Sequence, residues 1–121
     1  IARRLDRLAD RGIAIDARLD AIAANPDSIP ARRLDSIDAA LVALDRVWWD
    51  ERGLFDRPWA RNLSIATDRL TGYGATPMPI VAEPIADGDL SRATDGLSRL
   101  AAAVSRLGAV LDRLEETLGT P

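Results

Sequence analysis

The chain has 121 residues, 47% hydrophobic and 29% charged, with a formal net charge of −3; this is enough apolar material for a single domain covering residues 1–121. With aromatics at 4%, a core must be built from Leu, Ile, Val and Ala, and the absence of His and Cys removes disulfides, thiolate sites and imidazole sites. The basic residues are all Arg and alternate with acids, as in Arg4-Leu5-Asp6-Arg7, so they form no basic face for nucleic acid; no apolar run reaches the ~18 residues that a membrane span needs.

Taken in chain order, the first run places Leu5, Leu8, Gly12, Ile15, Leu19 and Ile22 three and four residues apart, on one helical stripe. Asn25-Pro26-Asp27 ends it, because proline cannot continue the hydrogen-bond ladder. A second run starts at Ser28 as N-cap or at Pro30. It carries Leu34, Ile37, Leu41, Leu44 and Trp48, with Gly53 as the expected stop. A third starts after Asp87-Gly88-Asp89 with an Asp cap. Its stripe is Ala93, Leu97, Leu100, Val104, Leu107, Leu111, Leu114 and Leu118. Gly96 and Gly108 lie within it and mark possible close helix contacts, at ~1 kcal/mol each in helix propensity.

Between Gly53 and Asp87 the pattern changes. Pro58, Pro77, Pro79 and the Gly72–Gly74 pair exclude one continuous helix. The expectation is a short helix from Pro58 to about Ser64, another over Ile80–Ala86, and an ordered loop from Ile65 to Met78. No strand signal is found, since Met78 to Ala82 is too proline-rich for a central strand. The predicted fold is therefore all-α: an up-and-down helical bundle of three long helices plus one or two short ones, with a long ordered loop.

Several residues stand out chemically. Trp48 and Trp49, if helical, point about 100° apart: Trp48 continues the stripe, while Trp49 sits at an edge where a half-buried aromatic serves a loop or a partner chain. Trp59, after Pro58, would anchor the loop. Plain packing is the competing reading for all three tryptophans. Tyr73 lies between two glycines, on a turn able to aim its hydroxyl at a ligand; packing on its own domain is the alternative. Asp87 and Asp89 read as helix caps rather than metal ligands. No His, Cys or catalytic Ser is arranged with an acid, so no catalytic residue and no metal site is expected in this chain.

The segment Gly53-Leu54, Arg57-Pro58-Trp59, Arg61-Asn62-Leu63, then Thr71-Gly72-Tyr73-Gly74 and Pro77-Met78-Pro79, resembles the transferrin receptor-like dimerisation domain. This is the C-terminal helical domain of glutamate-carboxypeptidase-like M28 zinc peptidases. The resemblance covers roughly Pro30 to Leu118 and is specific around Gly53 to Pro79. It implies a non-catalytic module that forms a homodimer through its helices and borders an upstream peptidase domain of the same parent chain. Zinc would belong to that domain, with no cofactor in the segment itself.

By the same resemblance, Tyr73 is the substrate-binding position, near the substrate's terminal carboxylate. Gly72 stands where glutamate-preferring members carry a lysine, so a preference for an acidic terminal residue is not implied unless the loop folds Arg69 inward as a substitute. Arg57, Pro58, Trp59 and Asn62 are the loop anchors, and Trp49, Leu107 and Leu111 are the dimer-interface candidates. The start at Ile1 rather than Met reads as a fragment of a larger chain, one whose preceding helix has been removed. The compartment is left open, with a secreted or periplasmic parent among the options. The alternative function is a helical-bundle interaction or signalling domain unrelated to peptidases.

Overall fold

A computed structural model describes residues 2–119. Its elements in order are α1 (Ala2–Ala24), a 3-10 turn at Pro26–Ser28, α2 (Ala31–Arg46), β1 (Ile65–Thr67), β2 (Ala75–Pro77), α3 (Pro79–Ala86) and α4 (Leu90–Leu118). The fold is mostly helical, but it is not all-α. β1 and β2 pair antiparallel, with Ile65 opposite Pro77 and Thr67 opposite Ala75. Three-residue strands are too short to show an alternating pattern, and Pro77 sits at the strand's end, where a missing N–H is tolerated.

The chain divides into two compact units, residues 1–45 with 106–121 and residues 46–105, so that α4 contributes to both. In the first unit, α1 and the end of α4 run in the same direction. Leu8 lies against Gly108, Arg11 binds Asp112 and Glu115, and Arg18 donates to the Gly119 carbonyl. The buried apolar residues there are Leu8, Ile15, Ile37, Ala40, Val110, Leu111, Leu114 and Leu118. The predicted stripe is thus shifted at its edges: Leu5 and Leu41 are exposed, and Ala40 and Val110 are buried instead. Gly119 closes α4 with a positive φ, its N–H bonding to the Glu115 carbonyl.

The second unit has its own cluster, formed by Leu54, Leu63, Ile80 and Ala103, with Trp48, Phe55, Ala60, Val81 and Leu100 packed on it. Here α3 crosses α4 very closely. A Cβ on Gly96 would lie 2.2 Å from the Ile80 carbonyl oxygen, so the crossing requires glycine, as its place in the helix suggested. Gly88 ends α3 in a left-handed conformation, with Asp89 N–H bonding back to the Pro84 carbonyl. Asp89 then caps α4 by accepting from the Arg92 N–H.

Two expected helices differ. α2 stops at Arg46, well short of Gly53, because the Trp48 carbonyl accepts from Leu63 N–H and Trp49 pairs with Asn62. Trp48 therefore lies in the turn that follows the helix, and Trp49 in an antiparallel bridge to Asn62. Pro58–Ser64 forms no helix either. Its backbone is spent on turns, with Ala60 N–H to Arg57 and Leu54 N–H to Ala60. Gly53 serves that turn: its φ is +65°, and a Cβ there would lie 2.2 Å from the Pro58 carbonyl oxygen.

Candidate functional site

The irregular segment 46–89 is held by side chains that satisfy backbone groups. Asn62 Oδ1 accepts from Ser64 N–H and Ser64 Oγ, both at 2.8 Å, and from Ile65 N–H at 3.2 Å, which turns the chain into β1. Arg57 donates to the Thr67 carbonyl at 2.8 Å and pairs with Glu83 of α3, tying β1 to that helix. Both side chains of this pair are largely buried, and Arg57 Nε has no hydrogen-bond partner among the described residues.

Arg99 of α4 is buried. It donates to Asp50 at 2.8 Å and to the Gly53 carbonyl, and it stacks over Phe55 at 5.6 Å. The Arg99 hydrogen bond holds the Asp50 carboxyl below its ordinary value of 3.8. Arg92 covers Phe55 as well, at 5.4 Å.

From this base the hairpin extends the loop of residues 68–74. The Asp68 carboxylate takes four donors: the N–H groups of Leu70 at 3.0 Å, Thr71 at 2.7 Å and Gly74 at 2.8 Å, and the Thr71 hydroxyl at 2.6 Å. These bonds, led by that from the Thr71 hydroxyl, push its carboxyl far below the usual range. Gly72 has a φ of +72°, and a Cβ on Gly74 would sit 3.1 Å from the Asp68 carboxylate, so both glycines belong to the turn. Arg69 makes a forked ion pair with Asp87, at the end of α3, and is not directed toward Tyr73 as a substitute cation. Beneath the loop a shallow cavity of about 230 Å³ is lined by Asp68, Arg69, Leu70, Thr76, Ala82, Glu83 and Ala86.

The residues singled out by sequence fall as follows. Tyr73 is 99% exposed at the tip of the loop. Arg57 and Asn62 hold the segment. Pro58 is exposed and acts through its carbonyl against Gly53. Trp59 is 75% exposed and does not anchor the loop to the bundle. Trp49 is 55% exposed, Leu107 is half-buried, and Leu111, at 4%, is taken up by its own unit and has little surface to offer a partner. Asp68, Glu83 and Arg99 were not singled out. For Asp68 there was a signal, an acid followed by Thr71 and Gly72 in a turn-forming spacing.

Among the described residues, no three His, Cys, Asp or Glu side chains converge as a metal site. The described side chains offer no set of ligands that fits zinc.

The family described as the transferrin receptor-like dimerisation domain matches residues 1–112. The chain belongs to this family. No curated protein and no solved structure matches it. Membership makes the chain a helical dimerisation-type domain. No described helix is long and apolar enough to cross a membrane.

Proposed function

We propose that this domain is the non-catalytic dimerisation module of a glutamate-carboxypeptidase-like zinc peptidase, with the Tyr73 loop bordering that enzyme's substrate pocket. The observation that carries the reading is Tyr73 itself: a fully exposed tyrosine on an ordered turn that packs on nothing of its own unit. A phenol held in water has no folding purpose there, whereas it suits a hydrogen bond to an acceptor on another body. The upstream peptidase domain would supply the metal and the scission chemistry. This chain would supply self-association and one hydroxyl.

With Arg69 already paired to Asp87 and glycine at position 72, the loop offers no free cation beside Tyr73. The reading therefore favours parents that do not select an acidic terminal residue. Tyr73→Phe in the full-length protein tests the loop. The substitution removes one hydroxyl, so folding stays intact while kcat/KM toward peptides with a free carboxyl terminus falls about tenfold. Unchanged kinetics would remove Tyr73 from the pocket.

A further inference from the structure

We infer that Asp68 is a positioning residue for Tyr73: it fixes loop 68–74 in one conformation before any partner arrives. The inference rests on the proposed reading of Tyr73 and adds a residue through which that tyrosine acts.

A seven-residue connection joins β1 to β2, and its tip is surrounded by water. Leu70 and Tyr73 are both exposed, so no apolar packing orders the tip. Left to itself, such a loop samples many backbone states.

The backbone donors of residues 70–74 nevertheless all have destinations. Leu70 and Thr71 N–H go to Asp68 Oδ1, and Gly74 N–H goes to Oδ2. Gly72 N–H goes to the Asp68 carbonyl at 3.1 Å. Tyr73 N–H goes to Thr71 Oγ1 at 3.2 Å, and that hydroxyl is itself held by Asp68 Oδ2. Every N–H from residue 70 to residue 74 thus ends on Asp68 or on a hydroxyl that Asp68 holds.

The base of the loop is fixed separately. Arg69 binds Asp87, Arg57 binds the Thr67 carbonyl, and Asp68 N–H binds the Gly74 carbonyl at 2.9 Å. None of these groups involves the Tyr73 ring. The ring is free to meet another surface, while the backbone beneath it has already lost the freedom that docking would otherwise remove. A loop ordered in advance strengthens binding and leaves chemistry alone, so losing Asp68 should appear in KM rather than in kcat.

Two measurements test this. The first is amide hydrogen exchange on the 121-residue chain, native and with Asp68→Ala or Asp68→Asn. In Asp68→Ala, Leu70, Thr71 and Gly74 should exchange about tenfold faster or more, with the amides of α4 unchanged. Asp68→Asn should fall between, because its carbonyl oxygen keeps two acceptor contacts but its NH2 cannot accept from Gly74. Native-like protection of the loop in Asp68→Ala overturns the inference.

The second is steady-state kinetics of the full-length protein on an acetylated dipeptide with a free carboxyl terminus. Asp68→Ala should raise KM about tenfold with kcat near native, with Asp68→Asn raising it less. If Tyr73→Ala raises KM and Asp68→Ala does not, positioning is wrong while the role of Tyr73 stands. If Tyr73→Ala also leaves KM unchanged, the reading of Tyr73 fails, and the positioning role falls with it even where the exchange data show a loop ordered by Asp68.

Discussion

The two compact units are held together in different ways. In the first, residues 2–45 and 106–119 join through aliphatic side chains at helical spacing. Its prominent ion pairs, from Arg11 to Asp112 and Glu115, lie at the rim. In the second, residues 46–105, a small aliphatic cluster is surrounded by polar groups that each satisfy particular backbone atoms: Asn62, Arg57, Arg99 and Asp68. Gly53, Gly74 and Gly96 there are sites of close contact, while Gly72 and Gly88 supply left-handed turns. The first unit depends on a pattern, which tolerates drift in any one position. The second depends on single residues, each of which does something its neighbours cannot replace.

α4 carries the sharpest form of this contrast, because it has one glycine in each unit. Gly96→Ala should cost about 3 kcal/mol, since the new methyl meets the Ile80 backbone oxygen and α3 must move away. A urea titration that finds less than about 1 kcal/mol of loss would contradict so tight a crossing. Arg99→Met comes next, at about 2 kcal/mol. It keeps the bulk over Phe55 but removes the donor to Asp50 Oδ2 and to the Gly53 carbonyl. Gly108→Ala should act in the opposite direction, adding about 1 kcal/mol of chain stability, because its added methyl would meet Leu8 Cδ2 at 3.9 Å, an ordinary contact. If both glycine substitutions change stability with the same sign, the contrast between the units is lost.

Acid gives a smaller effect with a defined sign. Asp50 titrates below its ordinary 3.8 in the folded chain, because Arg99 binds its charged form. Its contribution is present above the unfolded value and is lost as pH falls through the folded one. Asp50→Asn should therefore narrow the stability gap between about pH 7 and about pH 2, measured by denaturant titration at each pH. An unchanged gap would mean that the pairing contributes nothing to acid sensitivity.

The sequence was legible where burial repeats. α1, α3 and α4 fall where periodicity, proline and the Asp87-Gly88-Asp89 step placed them. The detailed register was less legible. Counting large aliphatics put Leu97 and Leu41 inward, whereas the structure buries Ala40, Ala103 and Gly96, the last where the α3 backbone comes too close for any side chain. The end of α2 and the path from Pro58 to Ser64 were misread for one shared reason. Trp48–Asp50 bonds with Arg61–Leu63, a pairing between separated segments that overrides local helix preference.

At the candidate site, Tyr73 and Asn62 could be picked out by residue type and motif, and Asp68 by its spacing to Thr71. Arg99 could not, since its partners Asp50 and Gly53 lie more than forty residues away and nothing local signals them.

The central claim is that this helical domain exists to join two copies of itself, and sedimentation equilibrium of the 121-residue chain at micromolar concentration tests it most directly. The account predicts twice the chain mass, with Trp49→Ala weakening association by about 2 kcal/mol as the loss of an exposed aromatic anchor. A single-chain mass that persists as concentration rises through the micromolar range would contradict it.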